Sequence, residues 1–219
     1  MKRGKLLLQF LGSGIPLAAL LFGGAGRFDV PRLWAYVGVY VVLTLAAMFL
    51  VDPELARERR RPGGKRLPWA FHLFTVLFVV HLLVAGIEAG RYRWTPSVPV
   101  ALECVALVAF AVCWGVVVWA MQVNRFYSPL VRIQTERGHT LVTSGPYRYV
   151  RHPGYAATIV VCLTSGMALG SWAAEVVLLP LVLFIFYRVI SEDAFLMKNL
   201  PGYPEYAARV RHRLLPGVW

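Results

Sequence analysis

The sequence has few of the residues that a water-soluble surface requires. Only 16% of its 219 residues are charged and 58% are hydrophobic, whereas soluble domains are about a quarter charged and about half apolar. Acidic residues are the scarcer sign, 11 against 23 Lys and Arg, for a formal net charge of +12. Such a balance raises the question of a nucleic-acid partner. The basic residues lie only between apolar runs, however, so they read as the flanks of membrane segments. There are three cysteines, Cys104, Cys113 and Cys162, each inside an apolar run. No pair has the C-x-x-C spacing of a zinc or redox site, and they read as small buried hydrophobes. No metal-ligating cluster, internal repeat or low-complexity tract is present, and by length the chain is one domain.

What is abundant is long apolar runs. In lipid the backbone must satisfy its own hydrogen bonds, so each run is expected to be helical. Six are expected, at about 5–24, 32–51, 69–88, 98–121, 154–170 and 172–190. The fold class is therefore an all-α polytopic transmembrane bundle. Only Gly170 and Ser171 separate the last two runs, which predicts a tight C-terminal helical hairpin with a short first arm. The start, MKRGKLLLQFLGSGIPLAALLFGGAG, has features of a signal peptide. It is read as an uncleaved first helix because the run approaches the ~20 residues of a span.

Lys and Arg set the orientation. With the N-terminus inside, segments 1–5, 52–68, 122–153 and 188–219 hold 19 of the 23 basic residues, and only Arg27, Arg32, Arg91 and Arg93 fall outside. Both termini are thus expected in the cytoplasm. Trp34, Trp69, Trp94 and Trp172 lie near run ends, as interfacial anchors do. Segment 52–68 reads as a solvated basic linker, with anionic lipid headgroups as possible contacts. Few ionisable residues lie inside the runs. Glu103 is the main one; Glu88 and Glu175 are expected at the outer interface, and His72 and His81 in the core.

Two inner segments, 122–153 and 191–219, are longer and more patterned than connections need to be. In HTLVTSGPYRYVRHPGY (139–155), Gly145 and Pro146 bend the backbone. Pro153 suits the first turn of a helix, so His152 is expected at a helix N-terminus, where backbone and dipole favour a carboxylate. Tyr147, Tyr149 and Tyr155 surround it. Further on, Arg188 and Glu192 are four residues apart on one helix face. Either the arginine snorkels or the pair faces a cavity between helices. The tail adds Tyr203, Tyr206 and Arg209. From these residues alone the expectation is an inner-face ligand site of open chemistry.

Taken in order, QTERGHTLVTSGPYRYVRHPGY, an apolar hairpin, RVISED and then GYPEYAARV with LLP resemble the isoprenylcysteine carboxyl methyltransferase family, within a wider group that includes membrane phospholipid methyltransferases. The resemblance covers roughly residues 130–219. It implies a C-terminal core, 130–219, that binds S-adenosylmethionine (SAM) at the cytoplasmic face, beside an N-terminal part, 1–129, of four membrane helices. By position it implies Gln134, His139, Thr140, Leu141, Val142, Tyr147, His152, Pro153, Gly154, Tyr155 and Glu192 as cofactor residues. Arg188 would be the catalytic, substrate-facing arginine, with Arg209 as a second substrate contact and no metal. The substrate would be lipophilic or membrane-delivered, with a carboxylate as acceptor. Phospholipid amines and small thiols stay open as acceptors. The competing classes are an NADPH-dependent membrane sterol-type reductase and a non-enzymatic lipid-binding or transport protein.

Overall fold

In the computed structural model the described residues are 3–64 and 69–219, with side chains described for 14–63 and 72–219. Lys2, Arg3, Lys5, Lys65, Arg66 and Trp69, which enter the topology reading, lie outside the described side chains. The described residues form eight α-helices and no strand: α1 (Arg3–Ala25), α2 (Pro31–Leu50), α3 (Pro53–Arg60), α4 (Trp69–Gly90), α5 (Val100–Val123), α6 (Pro153–Ala168), α7 (Trp172–Asn199) and α8 (Tyr203–Arg209). This is the all-α polytopic bundle that the apolar runs require. Among the described residues four helices are long and apolar enough to cross a membrane: α2, α4 over His72–Gly90, α5 and α7. The described apolar stretch of α1, Gly14–Ala25, and the 16 residues of α6 are shorter. At 1.5 Å per residue α6 is about 24 Å long, under the ~30 Å of a bilayer core. Val105, Val108, Val112, Val176 and Leu183 are exposed on the outside of the bundle, where lipid replaces water.

Two elements differ from expectation. Helix α7 continues past 190 to Asn199, because residues 191–199 contain neither glycine nor proline and are rich in helix formers. The described part of segment 52–68, residues 52–64, is not a free linker. Asp52 accepts hydrogen bonds from the amides of Glu54 and Leu55, Pro53 occupies the first turn, and basic residues fill the last turn of α3. Leu55 is fully buried, so the helix is docked on the body.

Small residues let helices approach closely. A Cβ on Gly86 of α4 would stand 2.2 Å from the Leu21 carbonyl oxygen of α1, and one on Gly90 would stand 2.4 Å from that of Ala25. The α6–α7 hairpin turns at Gly170, whose φ of +75° is in the left-handed region. Ser171 then caps α7 by accepting the Ala174 amide.

The end of the bundle near this turn is polar inside. Tyr36 and His81 both hydrogen-bond the Ser165 hydroxyl, and the other His81 ring nitrogen meets the Ala174 carbonyl. His81 is thus a satisfied core histidine. Glu88 and Glu175, near the ends of their helices, are buried inside the protein. Glu88 accepts from the Thr95 amide and hydroxyl and from Ser171, and Glu175 from the Gly166 and Met167 amides. Each carboxylate gathers amide or hydroxyl donors from the polypeptide ends around it, which offsets its loss of water. Glu103 pairs with Arg32 at 2.6 Å.

Candidate active site

At the opposite end, the N-terminus of α6 and the C-terminal half of α7 border a cavity of about 410 Å³. The segment from Asn124 to Val142 closes one side and α8 another. Gly145, with φ +58°, starts a short 3-10 turn through Arg148; a Cβ there would come within 2.8 Å of Val123. The turn brings Tyr147 under the segment, where Asn124 donates to its hydroxyl at 3.1 Å and the Tyr206 hydroxyl donates to its carbonyl at 2.7 Å. Burial raises the pKa of both phenols, so they stay neutral hydrogen-bonding groups.

The expected residues divide clearly. His139, Thr140, Leu141, Val142, Tyr147, His152, Pro153, Gly154, Tyr155, Arg188 and Glu192 all line this one cavity. Gln134 does not. It is 1% exposed and is spent on the loop itself: its side-chain amide donates to the Phe126 carbonyl and its side-chain oxygen accepts from Arg137. Arg209 does not either; it is exposed in the last turn of α8. Tyr149 is also exposed.

Arg188 and Glu192 form an i,i+4 pair at 3.5 Å, with Tyr155 between them. The Tyr155 hydroxyl donates to Glu192 at 2.7 Å and accepts from Arg188 Nε at 3.0 Å. Gly154 lies beneath Tyr127: a Cβ would fall 2.4 Å from the Tyr127 hydroxyl. His139 Nδ1 accepts the Gln134 amide at 3.2 Å, which requires an unprotonated nitrogen. Burial, then Arg132 and Arg137, lower its pKa.

His152 differs from expectation in one respect. Its amide is not free for an anion, because it donates to the Arg213 carbonyl at 2.9 Å. Its ring meets Asp193 at 3.1 Å. Asp193 is the residue sequence reasoning passed over in favour of its neighbour Glu192. It is 3% exposed and accepts from Arg151 Nε and Nη2 at 2.8 and 2.9 Å, from Arg213 Nε at 2.9 Å and from the Tyr203 hydroxyl at 2.7 Å. Burial opposes the charge on Arg151, but Asp193 holds its pKa above the ordinary arginine value. Arg151 also donates to the carbonyls of Val210 and Arg211. Adjacent helical residues point about 100° apart, so Glu192 faces the cavity while Asp193 fastens the tail against its back. The adjacency of two acids beside an Arg-rich tail was the available signal.

Away from this polar end the cavity is walled by apolar side chains of three helices, Phe74 of α4, Trp114 and Val117 of α5, and Leu181, Phe184 and Ile185 of α7, with Thr158 of α6 beside them. The chamber thus joins a polar, hydrogen-bonding end to an oily corridor between membrane helices.

The family described as "Isoprenylcysteine carboxyl methyltransferase (ICMT) family" matches residues 104–198. Among curated proteins, the chain is 33% identical over 93 residues to the protein-S-isoprenylcysteine O-methyltransferase of Schizosaccharomyces pombe, covering 41% of this chain and 39% of that one. It is 38% identical over 133 residues to the cobalt-zinc-cadmium resistance protein CzcN of Cupriavidus metallidurans, covering 60% and 57%. It is 31% identical over 97 residues to a probable protein-S-isoprenylcysteine O-methyltransferase of Oryza sativa, covering 43% and 50%. In each case the match spans less than two thirds of the relative.

Proposed function

We propose that the chain, whose residues 104–198 match the isoprenylcysteine carboxyl methyltransferase family, is a membrane methyltransferase using SAM to methylate the carboxylate of a lipophilic acceptor. The observation that carries this reading is the two-sided cavity, in which one chamber offers polar groups for a nucleoside-amino acid and an apolar corridor for a hydrocarbon chain. A pocket of this size with a few convergent polar groups is what small-molecule sites look like.

The residues present fit the donor. Segment 139–142 and the first turn of α6 line the polar end, and a helix N-terminus suits a carboxylate. Glu192, an acceptor-only group when ionised, suits an ammonium or ribose hydroxyls. Gly154 leaves room that a Cβ would take from Tyr127. When bound, SAM supplies an electrophilic methyl group on a sulfonium. Arg188 presents guanidinium donors of the kind that orient a carboxylate, and Tyr155 and Glu192 hold it in place. A carboxylate acceptor is already ionised at neutral pH, so no side chain is needed as a base. What the protein contributes is alignment of the two reactants in a dry, walled space. Residues 130–219 then form the donor-binding core and the preceding helices complete the corridor wall. The basic bias supports a cavity mouth on the cytoplasmic side.

The test is calorimetric. Purified chain in detergent should bind SAM and its demethylated product and give no heat with NADPH. Membranes incubated with methyl-labelled SAM should place label in a base-labile ester of a lipophilic fraction. Absence of binding by both SAM and its product would sink the reading.

A further inference from the structure

Arg59 enters the sequence reading only as one of the basic residues that set topology, and it lies outside the family-matched stretch 104–198. In the structure it is part of the cavity wall. Helix α3 is fixed there by buried Leu55 and by two ion pairs to the segment that closes the cavity, Glu54 with Arg137 at 2.9 Å and Glu58 with Arg132 at 2.7 Å. The guanidinium of Arg59 sits 4.9 Å above the ring of Tyr127. Tyr127 in turn presses on Gly154 at the start of α6. Burial raises the Tyr127 pKa most; Arg59 and Arg188 lower it and Glu192 raises it, so all three charges surround one phenol.

The cavity's other cations are already answered by carboxylates: Arg132 by Glu58 and Glu136, Arg151 by Asp193, Arg188 by Glu192. Both carboxylates of α3 are engaged with arginines of the closing segment. Arg59 instead rests on an aromatic face, an attraction of about 0.5–2 kcal/mol that leaves N–H donors for another partner. Among the described residues Arg59 is therefore the lining arginine that no carboxylate contacts, and its N–H groups are those that a bound anion would meet.

We propose that Arg59 is a carboxylate-binding residue of this cavity, set over Tyr127 by the docked helix α3 so that the N-terminal part of the chain helps to select an anionic ligand. The proposal rests on the methyltransferase reading for its biological meaning. The carboxylate belongs either to the acceptor or to the donor's amino-acid end, and the test separates them.

The probes are the demethylated product of SAM, and dodecanoate and dodecanamide, which share a chain and differ in head group. Each is titrated calorimetrically into the full chain in detergent, as wild type, Arg59→Ala and Arg59→Lys, with thermal unfolding confirming that the variants fold. Expected is a loss of about tenfold or more in dodecanoate affinity for Arg59→Ala, partial recovery in Arg59→Lys, and little change for dodecanamide. Weakened binding of the demethylated product with dodecanoate unchanged supports the same role and assigns the carboxylate to the donor. Unchanged affinity for all probes, or equal loss of dodecanoate and dodecanamide, overturns the proposal, since a structural role alone would not distinguish the head groups. Wild type that binds dodecanoate through Arg59 but not the demethylated product would sink the methyltransferase reading and leave the role of Arg59 standing.

Discussion

At the scale of single residues, two neighbouring acids on α7 have separate work. Glu192 faces the cavity and is held by Tyr155 and Arg188. On the proposed donor site, its replacement by Ala should weaken SAM binding about tenfold, as loss of a hydrogen bond to a charged group does, and leave the melting temperature nearly unchanged; titration calorimetry reads this directly. Asp193 is buried among two arginines, a histidine and a tyrosine. Asp193→Asn leaves those buried cations uncompensated and should cost about 3 kcal/mol of stability. It should also speed proteolysis of segment 210–219. A variant that melts like wild type would refute the structural role. His139 gives a pH dependence. Its folded-state pKa lies below the ordinary 6.5, so its contribution to stability is fully present above 6.5 and is lost as pH falls from there through the lower folded value. Acidification should lower the melting temperature of wild type more than that of His139→Asn, whose amide oxygen accepts the Gln134 amide without titrating. Equal slopes would show that His139 does not carry the effect.

At the scale of elements, the decisive contacts are made by the smallest residues. Helices α1 and α4 touch backbone to backbone at Gly86 and Gly90. Gly86→Leu should separate them, lower the melting temperature by several degrees and disturb the corridor wall that α4 provides through Phe74; circular dichroism at rising temperature reads it, and an unchanged transition would mean that the helices do not pack this way. The α6–α7 hairpin was legible because glycine and serine interrupt an otherwise unbroken apolar stretch. The docking of α3 was not. A basic octapeptide with one leucine reads equally well as a solvated linker, and only the position of Arg132 and Arg137, more than 70 residues later in sequence, gives its glutamates partners.

For the whole molecule, the charge bias makes a sidedness prediction. Cysteine introduced as Glu205→Cys on α8 should react with a membrane-impermeant maleimide only after cells are opened, and Tyr92→Cys, between α4 and α5, in intact cells; Cys104→Ser serves as the background. The reverse pattern would move the cavity mouth to the other face of the membrane.

The sequence by itself determined the helical bundle, because lipid leaves the backbone no other way to satisfy its hydrogen bonds, and it determined which two polar segments stand out, because they are longer than connections need to be and combine Tyr and Arg with turn-forming Gly and Pro. Most of the residues it singled out do line the cavity, since they cluster in two short stretches. Only the tertiary structure decided the rest: that Gln134 serves its own loop, that Arg209 faces away, that Asp193 anchors the tail and that Arg59 reaches the chamber. Each of these depends on which partner a long polar side chain meets across the fold, and helical periodicity fixes the face of a residue without fixing what stands opposite it.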